Sequence, residues 1–113
     1  MINYTPHTVT VRDADGVDHV FPQSGVVPRV EMTVSPAPPL EDGTPTSFVT
    51  YGKADLPEDH PERCIVSTMF ADAYRSEGVA FRTRPVELFV PDSGPSAIRE
   101  NGQIVAVRSL IRR

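Results

Sequence analysis

Twelve prolines in 113 residues, about double the ordinary usage, constrain this chain more than any other feature. Each proline fixes its own φ and withholds a backbone N–H, so long helices are not expected and regular structure should come in short pieces between turns. A chain of this length builds one core and buries roughly two-thirds of the surface its unfolded form exposes. We therefore expect a single domain over residues 1–113. No apolar run approaches the roughly 20 residues that cross a bilayer, and the first residues lack a basic segment followed by an apolar stretch. The one cysteine, Cys64, cannot form an internal disulfide, so the cytoplasm is the expected location.

Strand signals recur along the chain. His7–Arg12 and Val17–Phe21 alternate in hydropathy around the turn residues Asp13-Ala14-Asp15-Gly16, which reads as a hairpin. Val26–Val34 reads as a strand whose Pro28 demands an edge or a bulge, and Ser47–Lys53 as another. Between them a proline-rich segment, 35–46, is expected to be an extended surface loop. Cys64-Ile65-Val66 reads as a short buried strand, and Cys64 as a core residue. Ser67 then stands where an N-cap would start a helix near 68–75, with Met69, Phe70, Ala73 and Tyr74 facing the core and Gly78 ending it. Val79–Arg84 and Val86–Val90 have strand character on either side of Pro85. Asn101-Gly102 favours a type I′ turn joining Ala97–Arg99 to Gln103–Arg108. The fold class is mainly β, α+β at most: a small curled antiparallel sheet or barrel with one short helix.

The order of several short stretches resembles a family of small proteins from bacteriophages and prophages. They are Asn3-Tyr4-Thr5-Pro6-His7, Pro22-Gln23-Ser24-Gly25 with Arg29-Val30, Ile65-Val66-Ser67, and Arg99 with Asn101-Gly102-Gln103-Ile104-Val105-Ala106-Val107. Members typically open with Asn-Leu-Thr-Pro-His; here Tyr4 replaces the leucine, Gln23 a common second proline, and Ser35–Ser47 resembles an insertion. The resemblance implies a phage-associated origin, hence a host-cell cytoplasm, and no settled activity.

Catalytic signatures are missing from the sequence. His7, His19 and His60 stand on separate elements without metal-ligand spacing, phosphate-loop glycines are absent, and Ser93 lacks the glycine of a nucleophile elbow. No catalytic residue, metal or cofactor is therefore expected. Ten of the eleven cations are arginine, whose planar fork suits anions, while the first 60 residues carry nine acids against three bases. The candidate ligand-binding residues are Thr5 and His7 in the entry motif, Arg29, Arg82 and Arg84 on one strand face, and Arg99 and Arg108 on the two arms of the last hairpin.

Three functions fit this inventory. One is a small protein, a homo-oligomer or a monomer, that holds an anionic nucleotide-type molecule, in a phage setting sequestering a host-defence signal. Another is a phage assembly or host-interaction protein without a small ligand. The third is a hydrolase using His7 with Asp72 or Asp92. Duplex nucleic acid and membrane are not expected partners, because the domain is acidic overall and nearly free of lysine.

Overall fold

The computed structural model describes residues 1–76 and 86–113. Gly78, the expected strand Val79–Arg84 and Pro85 lie outside the described residues. The chain is mainly β with one short helix: β1 (Ile2–Asn3), β2 (Val9–Arg12), β3 (Asp18–Phe21), β4 (Val30–Ala37), β5 (Thr46–Ala54), β6 (Arg63–Ile65), α1 (Thr68–Ser76), β7 (Glu87–Pro91), β8 (Ile98–Glu100), β9 (Gln103–Ala106) and β10 (Leu110–Arg112). Among the described residues no barrel closes. A mixed four-stranded sheet of order β1-β6-β7-β10 is accompanied by three antiparallel ribbons, β2-β3, β4-β5 and β8-β9.

Side-chain alternation in β6 and β7 builds two cores. Cys64 and Val66, with Leu88 and Val90, belong to a cluster with Tyr4, Ala54 and the α1 residues Phe70, Ala71, Ala73 and Tyr74. The intervening Ile65 and Phe89 belong to the other, with Val9, Ala97 and Val107. Since neighbouring side chains on a strand point to opposite faces, the sheet has α1 over one face and the β2-β3 and β8-β9 ribbons over the other. Burial on both faces is what parallel pairing requires, and β1-β6 and β6-β7 are the parallel pairs.

Helix α1 starts where the cap chemistry places it. Ser67 Oγ accepts from the Phe70 amide at 3.1 Å and Ser67 O from Ala71 at 3.0 Å. Phe70, Ala73 and Tyr74 are buried as expected, but Met69 is exposed. Position N2 faces out from the first turn, whereas Ala71, whose small side chain permits close approach to the sheet, takes the core face. At the last hairpin Asn101 (φ 53°) and Gly102 (φ 79°) both adopt the left-handed backbone of a type I′ turn.

The proline-rich loop is shorter than expected. Ser35, Pro36 and Ala37 pair with Phe48, Ser47 and Thr46, leaving 38–45 as the connection, while residues 26–29 precede the strand. A two-stranded ribbon has an open edge along each strand, and a proline whose nitrogen faces that edge forfeits no ladder bond.

The first hairpin is held at its turn by two carboxylates. Asp13 Oδ1 accepts from the amides of Asp15 (2.9 Å) and Val17 (3.0 Å), and its Oδ2 lies 2.9 Å from His19 Nε2. Asp18 accepts from Arg12 Nε and Nη2 at 2.8 and 3.2 Å. The contact with His19, then the Val17 amide, holds the Asp13 carboxyl below its ordinary range, and Arg12 does the same for Asp18. Groups depressed in the folded state stabilise it above their unfolded pKa, and that contribution disappears as pH falls through the folded value. Acidification through and below the ordinary carboxylate range should therefore loosen this hairpin, and Asp13→Asn should flatten part of the dependence. Amide exchange at Asp15 and Val17 measures it; exchange independent of pH, once corrected for intrinsic rates, would contradict the assignment.

Candidate functional site

Strands β1, β6 and β7 run in one direction, so their carboxyl ends deliver Thr5, Ser67 and Pro91 to one edge of the sheet. Ligands of parallel sheets bind outside such ends. A cleft of about 400 Å³ opens there, and its walls come from four stretches: Thr5–Thr10, Ser67-Thr68, Pro91 with Ser93, and Ile104–Val107. The opposite wall is held by backbone bonds between strands distant in sequence. Arg12 N donates to Val107 O and Val107 N to Thr10 O, both at 2.8 Å.

The entry motif shapes one wall through Asn3, which is 2 % exposed. Its Nδ2 donates to His7 O and to Phe21 O, each at 2.8 Å. Its Oδ1 accepts from Thr5 N at 2.9 Å and from the Thr5 hydroxyl at 2.6 Å. All the hydrogen-bonding capacity of one buried amide is thereby used to bend Thr5-Pro6-His7 across the sheet edge and to tie it to β3. Thr5 is accordingly a framework residue at the cleft floor. His7 contributes its carbonyl to that framework, while its ring is free of hydrogen bonds and ion pairs among the described residues and lines the cleft.

The remaining candidates separate from this site. Arg99 donates to the carbonyls of Ser93 (3.1 Å), Gly94 (3.3 Å) and Ala97 (3.5 Å), closing the loop between β7 and β8. Arg29 and Arg108 are exposed and form no ion pair among the described residues. None of these three arginines lines the cleft. Arg82 and Arg84 lie outside the described residues. Asp92 accepts from Gly94 N and the Ser96 hydroxyl, and Asp72 sits 3.8 Å from Arg113, so neither carboxylate engages His7. No group of three metal-ligating side chains occurs among the described residues.

What lines the cleft therefore includes no carboxylate, lysine or arginine among the described residues. Among the described residues His7 is its one ionisable group, beside the hydroxyls of Thr8, Thr10, Ser67, Thr68 and Ser93 and the apolar surfaces of Pro6, Val9, Pro91, Ile104 and Val105. The amides of Thr68 and Met69, in the first turn of α1, have no intrahelical acceptor by helix geometry. Apolar walls with a few convergent donors and acceptors suit one small molecule that carries rings and hydroxyl or carbonyl groups. Sequence reasoning missed the Ser67-Thr68, Pro91 and Ile104–Val107 walls. The available signal was the apolar run Cys64-Ile65-Val66 ending at a helix cap, which marks the carboxyl end of a buried strand.

Comparison of the chain with models of known protein families, with curated proteins and with solved structures finds no match. Among the described residues no helix is long and apolar enough to cross a membrane.

Proposed function

We propose that this protein binds a small molecule of nucleoside type in the cleft at the carboxyl ends of β1, β6 and β7. The observation that carries the proposal is the hydroxyl-bearing, mostly apolar lining, without carboxylate, lysine or arginine among the described residues, at the one edge where three parallel strands end. Apolar walls favour a planar ring, and the threonine and serine hydroxyls match sugar hydroxyls or base carbonyls. A phosphate would meet helix amides rather than arginines, so anionic charge contributes little to affinity in this proposal. The resemblance of the entry motif to phage proteins makes sequestration of a nucleotide-type defence signal the corresponding biological role.

Native mass spectrometry against a pool of nucleosides, linear nucleotides and cyclic nucleotides should retain one adduct of unaltered mass. Thr8→Trp, at the exposed lip, should weaken that binding at least tenfold by filling the cleft, whereas Arg108→Ala should leave it unchanged. No retained ligand, or equal affinity in Thr8→Trp, would sink the proposal.

A second function, protein interaction, is favoured by a different observation. The β4-β5 ribbon exposes large apolar side chains that an isolated protein gains nothing by presenting to water.

A further inference from the structure

The β4-β5 ribbon has an apolar side and a polar one. Residues paired across an antiparallel ribbon share a face, as do residues two apart. The register Met32↔Tyr51, Val34↔Val49, Pro36↔Ser47 thus places these six residues on one face, which contains no charge. Thr33, Ser35, Thr50 and one exposed aromatic, Phe48, form the other. Among the described residues the ribbon is anchored at its base, where Ala54 and Val30 pack into the α1 core. Beyond it Met32, Val34, Val49 and Tyr51 remain 51 %, 56 %, 50 % and 40 % exposed. The Cα radius of gyration, 16.8 Å, exceeds the about 13 Å of a compact chain of this length, as a projecting arm requires. A two-stranded ribbon without cover is marginal in water and gains its stability from a further apolar layer.

We infer that this layer is the same face of a second copy of the chain, laid antiparallel about a dyad at Val34 and Val49. A dyad lying in the ribbon plane, across the strands, sets β4 against β4 and β5 against β5 in reverse direction. Val34 and Val49 then meet their own equivalents, Tyr51 meets the small Ser47, and Met32 meets Pro36. Large side chains therefore face small ones along the stripe, as interdigitating layers require. Charge fits the same orientation. The ribbon tip carries Glu41 and Asp42, and it is brought to the base of the other copy, where Lys53 pairs with Asp55, Glu31 accepts from the Lys53 amide, and Arg29 stands exposed without an ion pair among the described residues. From Val34, β4 runs four residues back to Val30 and three forward to Ala37, so the 38–45 connection of one copy begins opposite Val30 of the other, next to Arg29. The opposite orientation, with both tips at one end, would set four acidic groups together.

The inference is independent of the cleft. Sedimentation equilibrium of the full chain should give a dimer across about 1 to 100 µM. Val34→Lys with Val49→Lys, at two exposed positions, should raise the dimer dissociation constant at least 100-fold while circular dichroism stays unchanged. Glu41→Arg alone and Arg29→Glu alone should each weaken the dimer about tenfold, and the two together should restore it. A monomer throughout this range, a dimer indifferent to the double lysine variant, or a charge swap that fails to restore association would each overturn it.

Discussion

Replacing Asn3 by leucine should cost about 3 to 5 kcal/mol of folding free energy, a large share of the ~5–15 kcal/mol available to a domain of this kind. The side chain is buried, and its two donated and two accepted hydrogen bonds run to His7 O, Phe21 O, Thr5 N and the Thr5 hydroxyl. Leucine matches its bulk and takes the amide partner from Phe21 O and from Thr5 N, each loss costing roughly 1–3 kcal/mol with partial relief by local relaxation, while His7 O keeps only the Thr5 hydroxyl at 3.0 Å. Thr5→Val removes one hydroxyl partner and should cost only about 1 kcal/mol. Urea denaturation of the three proteins measures the ratio. A loss below about 1 kcal/mol in the leucine variant would mean that the entry segment rearranges freely and that the motif does not brace the cleft wall.

The second large effect is expected at Ile65, which is wholly buried. It belongs to a cluster with Val9, Phe89, Ala97 and Val107, and so joins β6 to the first and last ribbons. Ile65→Ala should cost about 4 kcal/mol, inside the ~2–5 kcal/mol range of such truncations, because a layer fixed by backbone ladders has little freedom to collapse onto the void. Ile65→Val should cost only about 1 kcal/mol. Equal midpoints for the alanine variant and the parent would contradict the two-core arrangement. The alanine variant should also loosen the cleft, since Val107 belongs to both the cluster and the cleft wall.

Local chemistry was legible in the residues, and long-range pairing was not. Asp13–Gly16 and Asn101-Gly102 announce their hairpins because each turn is specified by adjacent residues, and Ser67 announces α1 in the same way. The parallel neighbours β1, β6 and β7 carry no such mark: Ile2 meets Cys64 and Cys64 meets Leu88, and nothing local encodes either meeting. The site inherits that difficulty. Thr5 and His7 are recognisable as a fixed entry, but the walls they face come from three distant stretches. Arginine chemistry pointed towards anions, yet Arg99 is consumed in closing a loop on its own hairpin. The proline-rich stretch misled in the other direction, since Pro36 occupies a ribbon edge that tolerates it.

The parallel pairing of β1 has a consequence for how the protein is made. The first strand meets Gln23 and Ser24 early, with Ser24 N donating to Asn3 O at 3.0 Å, but its two-residue ladder is with β6, more than sixty residues later. At synthesis rates of roughly 5–20 residues per second, the opening segment therefore waits several seconds for its ladder partner, with only the contacts to Phe21, Gln23 and Ser24 to hold it. The two-residue length of β1 limits what it can template during that wait, and the early hairpin β2-β3, complete by Phe21, is the one structure that can form beside it.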